Sequence, residues 1–381
     1  LKFIFYSPDF GPAWDYTSVE HGLGGSETYH VEMALRLAAR GHEVDSYNNL
    51  AGAACVRGGV HWRDLHSLRT ITPYGEHKGT WIIQRQPEFI DRLAYDHLLD
   101  GAAQQRFWHV YHDVDYPTAT LERMARYDRL IALSPFHAEY LRNQEHRNVS
   151  VGQSGIASDR MEALPHSDSI RNPRRLIYSS TPDRGLEHLL KSFARAREQV
   201  EDLELHCFYG WEGFDARIAR DVTGECARQK AAIVEGLKQP GVTWHGRVGQ
   251  TELWREFLKS GIWCYQTEFF ETACITAMEA QALGAVPIFN PLWALQDNVF
   301  AGISIEGDCW RDRLVKARFA YEIVKLARSP EAQENMRAEM MPIARERFSW
   351  DRACEQFEAM AAEDLGERVS EKPQIDTDEH R

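Results

Sequence analysis

Gly261-Ile262-Trp263-Cys264-Tyr265-Gln266-Thr267-Glu268-Phe269-Phe270-Glu271-Thr272-Ala273-Cys274-Ile275-Thr276-Ala277-Met278-Glu279-Ala280-Gln281-Ala282-Leu283-Gly284-Ala285-Val286-Pro287-Ile288-Phe289 reads as strand, loop, helix and strand. Residues 261–265 are a short apolar run ended by polar residues. Residues 273–283 form an apolar stretch of helix length, stopped by Gly284, and 285–289 is short and apolar again. Strand–helix–strand units of this kind build parallel sheets.

The same alternation extends in both directions. Upstream lie strand 175–179, helix 185–199, strand 203–209, helix 215–238, strand 242–245 and helix 250–259. Downstream, helices are expected at 312–328, 331–346 and 350–363. Residues 157–174 are polar, with Pro165 and Pro173 and no periodicity, and read as a linker. Before it a second series begins with strand 3–6, a helix from Ser26 to Gly41 and strand 43–47. Further strands are expected at 81–84, 107–111, 129–133 and 148–153. The fold class is therefore α/β, with two doubly wound, Rossmann-like domains at 1–156 and 175–346. Residues 364–381 are acidic and polar, and a disordered tail is expected there. Such a pair of domains leaves a cleft between the carboxyl ends of its sheets, where ligands bind.

Composition narrows the function. The 381 residues carry 57 Asp and Glu against 44 Lys and Arg, a net charge of −13. This argues against an overall basic surface for nucleic acid. Seven cysteines, an odd number with no C-x-x-C, suit a reducing compartment and neither a disulfide framework nor a zinc site. No apolar run approaches ~18 residues, so no transmembrane helix is expected. The start leads directly into strand 3–6 without signal-peptide form, and a cytoplasmic location is expected.

Five motifs follow strands. Gly22-Leu23-Gly24-Gly25-Ser26-Glu27 precedes a helix whose free amides suit phosphate, or it is a loop with Ser26 as N-cap. Its length and its lack of G-x-G-x-x-G argue against a nicotinamide enzyme. His109-Val110-Tyr111-His112-Asp113-Val114-Asp115 ends the strand at 107–111. There an imidazole can meet a sugar hydroxyl or polarise a leaving group, and Asp113 with Asp115 has the look of a metal-binding pair or of helix caps. Ser179-Ser180-Thr181-Pro182-Asp183-Arg184-Gly185 offers hydroxyls and one guanidinium for an oxyanion. Glu271 and Glu279, eight residues apart, are expected on one helix face about 12 Å apart. Glu279 lies among apolar residues and needs a partner, for which a ribose diol is suitable. Trp244-His245-Gly246-Arg247-Val248 permits close backbone approach to a base edge. Tyr209-Gly210-Trp211 can supply an aromatic face.

With these motifs in this order, the sequence resembles the family-4-type retaining glycosyltransferases of GT-B fold over roughly residues 1–360. The E-x7-E segment followed by A-x-A-x-G carries most of the resemblance. The GGSE loop, the His-Asp pair, Leu133-Ser134-Pro135-Phe136 and Phe348-Ser349-Trp350 fall at the family's usual places. The resemblance implies that 1–156 faces the acceptor, that 175–346 binds the nucleotide sugar, and that a helix at 347–363 packs back on the first domain. Glu271 is then expected on hydroxyls of the transferred sugar, the amides of Ile275 and Thr276 on the diphosphate, and Glu279 on the ribose. Ser180 adds a donor, and Arg184 stands at the place of the family's phosphate-binding Lys. Gly246, Arg247 and Val248 border the base, Gly24 and Gly25 approach the phosphate, and His112 faces the donor sugar. One feature departs from the pattern: Ser179-Ser180 replaces the Gly-Arg that usually precedes the phosphate-binding residue.

The implied reaction moves a hexosyl group from a nucleotide diphosphate sugar, of UDP or GDP type, to a hydroxyl acceptor. It needs no metal and no further cofactor. His112, Glu271 and Arg184 are the expected catalytic residues, and no side chain stands out as a fixed nucleophile, so front-face attack is expected. Three other readings share parts of the pattern: a nucleotide-sugar epimerase or hydrolase, a nicotinamide dehydrogenase, and a non-catalytic binder. For the acceptor, Trp14, Tyr16, Trp62, Tyr74, His61, His66 and His77 suit a carbohydrate. Arg123, Arg126 and Arg129 would serve a modified nucleic-acid base, which the local charge balance argues against.

Overall fold

The computed structural model describes residues 1–8, 11–70, 79–95, 105–164 and 171–370. The first domain runs β1 (Lys2–Tyr6), α1 (Gly25–Ala39), β2 (Glu43–Asn48), β3 (Cys55–Arg57), β4 (Val60–Asp64) and β5 (Thr80–Gln84). It continues with α2 (Phe89–Tyr95), β6 (Arg106–Val110), α3 (Leu121–Met124), β7 (Arg129–Ala132), α4 (Pro135–Asn143), β8 (Val149–Val151) and α5 (Ser158–Glu162). The second domain runs β9 (Asn172–Tyr178), α6 (Leu186–Arg197), β10 (Glu204–Phe208), α7 (Glu212–Ile218), α8 (Glu225–Gly236), β11 (Val242–Gly246) and α9 (Gln250–Lys259). It closes with β12 (Ser260–Tyr265), α10 (Ile275–Leu283), β13 (Val286–Phe289), α11 (Leu295–Asn298), β14 (Ile303–Ser304), α12 (Arg313–Ala327) and α13 (Pro330–Arg347). Helix α14 (Trp350–Ser370) follows.

The first sheet has the order β3-β4-β2-β1-β5-β6-β7-β8 and the second β11-β10-β9-β12-β13-β14. All pairs are parallel except β3 with β4. Strands covered by helices on both faces carry no polar alternation. β5, β6 and β12 are accordingly buried at every position. The strand order reverses around β1 in one sheet and β9 in the other, so a crevice opens at the carboxyl end of each.

The structure departs from the sequence reading in four places. Between the strands expected at 43–47 and 81–84, where no further element was expected, lies the β3–β4 hairpin, turned by Gly58 and Gly59 at φ +58° and +77°. The helix expected at 215–238 is two helices, because Asp221 accepts from the amides of Thr223 and Cys226 and Gly224 sits at φ +71°. In the linker, α5 forms at Ser158–Glu162, β9 begins at Asn172, and 165–170 lie outside the described residues. Residues 364–370, expected in the tail, belong to α14, and 371–381 lie outside the described residues.

Two stretches of chain join the domains side by side. Ile156 and Ser349 form a bridge, with the Ile156 amide on the Phe348 carbonyl at 2.6 Å and the Trp350 amide on the Ile156 carbonyl at 3.2 Å. Helix α14 then lies across the first domain. Glu358 bonds Arg40 and His42, and buried Asp364 accepts from Trp108 Nε1 at 2.8 Å and Arg129 Nε at 2.7 Å. Among the described residues, no helix is long and apolar enough to cross a membrane.

Candidate active site

A cleft of about 360 Å³ lies between the two crevices and is lined from both domains. On the second-domain side its floor is the exit of β12. Tyr265 donates its hydroxyl to Glu271 Oε1 at 2.6 Å, and Ser180 Oγ lies 3.2 Å from the same hydroxyl. The loop between β12 and α10 is tied down by Asn290, whose Oδ1 accepts from the Thr267 amide at 2.8 Å. Cys274 ends the loop at φ +60°. Helix α10 starts directly after it and has no side-chain cap, and the residues that carry its first amides, Ile275 and Thr276, line the cleft.

Arg184 reaches the same place from the β9–α6 loop. Its Nη1 lies 3.2 Å from Glu271 Oε1, and its guanidinium lies 3.7 Å from the centre of the Phe269 ring. Burial opposes its charge, but Glu271, aided by Tyr265, Tyr209 and Asp183, outweighs burial and holds the pKa above the usual guanidinium range. The loop fits because residue 185 is glycine at φ +98°, where a Cβ would stand 1.9 Å from the Gln266 carbonyl oxygen.

Glu279 lies one turn into α10 and is buried. Trp254 Nε1 donates to its Oε1 at 2.8 Å, and Gln250 Nε2 at 3.3 Å. Burial pushes its carboxyl up to about 7, more than these two donors lower it. Glu279 still lines the cleft, with one carboxyl oxygen held by the protein.

The first domain supplies the facing wall. Gly24 and Gly25 open α1, and a Cβ on Gly25 would lie 3.6 Å from Ile275 Cδ1 across the cleft. His112 follows β6, and its carbonyl accepts from Thr272 Oγ1 at 3.0 Å, a bond between the domains. Arg85 follows β5 at φ +59°, with Asp113 at 3.5 Å, Glu27 at 3.7 Å and Ser26 Oγ at 3.2 Å. At one end the domains touch through their backbones. A Cβ on Gly249 would lie 2.0 Å from the Glu20 carbonyl oxygen, and one on Gly22 2.7 Å from that of Val248. Arg247 donates to the Gly22 carbonyl at 3.3 Å and covers the Tyr209 ring at 4.7 Å.

The cleft thus gathers His112, Glu271, Arg184, Gly24, Gly25, Ser180, Arg247, Val248, Ile275, Thr276 and Glu279. Gly246 does not line it: its carbonyl is spent on the Tyr209 amide at 2.9 Å. The two glutamates do not share a helix face, because α10 begins at Ile275 and Glu271 stands in the loop before it. Asp113 faces Arg85, and Asp115 accepts from the Tyr116 amide. Among the described residues, no group of three metal-ligating side chains converges.

Several expected acceptor residues lie elsewhere. Trp14 and Trp62 are core residues, while Tyr74 and His77 lie outside the described residues. Arg123 and Arg126 bind Asp91, and Arg129 binds Glu363 and Asp364, so they form no basic patch. Trp211 stacks on Trp244 at 4.9 Å, and Tyr209 is the aromatic in the cleft. Sequence reasoning missed Arg85, Tyr265 and Trp254. Arg85 is the first polar cation after strand 81–84 and was visible as such. The other two read as apolar filler, and only their partners give them a role.

No protein-family model matches the sequence, and no curated protein sequence matches it. Solved structures do match. The Anabaena protein HepE in complex with UDP-glucose is 12% identical with a TM-score of 0.67, over 96% of this chain and 99% of that one. A glycosyltransferase from Rickettsia africae is 15% identical with a TM-score of 0.64, over 97% and 99%. The pneumococcal O-GlcNAc transferase GtfA, in complex with UDP and GlcNAc, is 17% identical with a TM-score of 0.56, over 74% of this chain. The chain spans only 56% of the length of that transferase. These likenesses establish the fold: two Rossmann-like domains across a cleft, the GT-B arrangement.

Proposed function

We propose that the protein is a retaining glycosyltransferase of family-4 type that moves a hexosyl group from a nucleotide diphosphate sugar to a hydroxyl acceptor. The observation that carries this reading is the meeting, in one cleft, of uncapped α10 amides, a guanidinium held charged, and the buried carboxyl of Glu279. Amides and guanidinium suit a diphosphate, and a carboxylate set beside them suits a ribose diol.

In the reaction the bond from the anomeric carbon to the diphosphate oxygen breaks, and a bond to the acceptor oxygen forms on the same face. The acceptor's proton passes to the departing diphosphate. Arg184 and the amides of Ile275 and Thr276 stabilise the charge that grows on that leaving group. Tyr265 and Arg184 both hold Glu271, which fixes its carboxylate for the hydroxyls of the transferred sugar. The backbone contacts at Gly22 and Gly249 bring the domains together and exclude water. Arg85, entering from the first domain, takes the part of the missing second basic group. The free cysteines suit a reducing, cytoplasmic setting.

The test is calorimetry with UDP, GDP and ADP and their hexose conjugates, with and without EDTA, on the wild type and Glu279→Ala. EDTA-insensitive binding of one nucleotide, lost in the variant, is expected. Nuclear magnetic resonance of the product should then show the donor's anomeric configuration kept. Equal binding by the variant, or an inverted product, would overturn the reading. Turnover of donor alone at comparable rates would instead identify an epimerase or hydrolase.

A further inference from the structure

A chain of buried polar groups runs from the core of the first domain to the cleft. Asn48 Nδ2 lies 2.9 Å from the Trp14 carbonyl oxygen, and Ser46 Oγ lies 3.3 Å from Asn48 Oδ1. Ser46 Oγ also lies 2.8 Å from His30 Nε2, and His30 Nδ1 lies 2.9 Å from Gln84 Nε2. Gln84 Oε1 in turn lies 2.8 Å from Nε2 of His112. His30, Ser46, Asn48 and Gln84 are all fully buried.

The direction of every bond follows from the first. A backbone carbonyl only accepts, so Asn48 must turn its amide nitrogen to Trp14 and its oxygen to Ser46. The Ser46 hydroxyl therefore donates to Asn48 and accepts from His30. His30 must carry its proton on Nε2, leaving Nδ1 bare. Gln84 then donates to His30 through Nε2 and presents Oε1 to His112. His112 must donate from Nε2, and its Nδ1 is left as a lone-pair acceptor. Burial pushes the His30 imidazole down to about 3 and keeps it neutral, as the scheme requires. Burial, with Arg85 and neighbouring imidazoles adding to it, also holds His112 well below the usual histidine range. Among the described residues nothing bonds Nδ1, and His112 lines the cleft.

We propose that His30 is a positioning residue which, through Gln84, locks His112 as the Nε2–H tautomer, so that His112 accepts a hydrogen bond from a hydroxyl of the bound sugar. Its second half rests on the glycosyltransferase reading. A sugar group without a hydrogen to donate, such as a carboxylate, meets lone pair against lone pair at this point. His112 is then neither a general acid nor an anion-binding group.

Two measurements test this. Two-bond proton–nitrogen correlations on 15N-histidine-labelled protein should show Nε2–H at both His30 and His112. A protonated Nδ1, or a mixture of tautomers, at His112 overturns the proposal. Ser46→Ala removes the link that sets the direction and should mix the His112 tautomers, while Ser46→Thr restores them.

Calorimetry with UDP-glucose and its singly deoxy and singly deoxyfluoro analogues, or the GDP-mannose series if GDP is the nucleotide bound, reads the second half. One deoxy position should lower affinity roughly 3- to 10-fold, the worth of one neutral hydrogen bond, and only in protein with His112 intact. Fluorine at that position should behave like the deoxy analogue, because it cannot donate. A fluoro analogue that binds as the parent does, in a His112-dependent way, overturns the claim that His112 accepts. If the tautomers are as stated but no nucleotide sugar binds, the lock stands, and the hydroxyl contact falls with the glycosyltransferase reading.

Discussion

Replacing Glu279 by glutamine should make the protein more stable and less able to bind. The carboxyl ordinarily titrates near 4.5 and is pushed up to about 7 in the fold, chiefly by burial. The folded state thus holds the proton more tightly than the unfolded chain. Its stabilising contribution is complete below pH 4.5 and is lost as the pH rises through 7. The difference corresponds to about 3 kcal/mol between those limits. Glutamine has the same shape, keeps an oxygen for Trp254 Nε1, and carries no charge to desolvate.

At pH 8 the Glu279→Gln protein should therefore melt roughly 5 °C above the wild type. At pH 4.5 the two should coincide. Nucleotide affinity should move the other way. Loss of a charged acceptor for the ribose costs about 1.5–3 kcal/mol, on the order of 10- to 100-fold in Kd. Wild-type affinity should fall as the pH drops from 8 to 5.5, and the variant's should stay flat. The assay is thermal denaturation across that range with and without UDP and GDP, paired with calorimetry. Equal melting temperatures at pH 8 would refute the claim that a buried charge is held there, and equal affinities would refute its role.

Three further outcomes follow from contacts already described. Arg184→Met should weaken nucleoside diphosphate binding while leaving nucleoside binding nearly unchanged, and should cost about 2 kcal/mol of stability because Glu271 loses its cationic partner. Gly249→Ala places a Cβ against the Glu20 carbonyl and should hold the cleft open. Turnover should drop on the order of 100-fold, and small-angle scattering should report a larger radius of gyration; an unchanged radius refutes it. Asp364→Ala leaves the buried Trp108 indole without its acceptor and takes from Arg129 the buried one of its two carboxylate partners, and should destabilise the first domain by about 2 kcal/mol in denaturant melts without altering nucleotide affinity.

Much of the fold was legible because parallel strands covered on both faces must be apolar throughout, and the runs at 261–265 and 285–289 have no other use. The hairpin at 55–64 was missed because Val56 and Arg57 face water, so β3 shows no alternation. Its Gly58-Gly59 turn was the available signal. The cleft residues were legible for a different reason: in this architecture they sit directly after strands. What the sequence concealed was partnership. Nothing in Glu271 announces Tyr265, and nothing in His112 announces Gln84 and His30, because those contacts depend on how strands line up side by side. The single helix face drawn for Glu271 and Glu279 failed because periodicity does not reveal the left-handed turn at Cys274.

The path of α14 has a consequence for synthesis. Asp364, which completes the hydrogen bonding of Trp108 and Arg129, follows Trp108 by 256 residues. At ~5–20 residues per second, roughly 10–50 s separate their appearance at the ribosome. For most of that interval, once β8 has emerged, the first domain has its strands but not its cover, while the second domain is being made. Of these two domains, the one translated earlier is therefore finished last. Nascent chains halted before α14 should expose the Trp108 face to chaperones even when everything needed for the second sheet has already emerged.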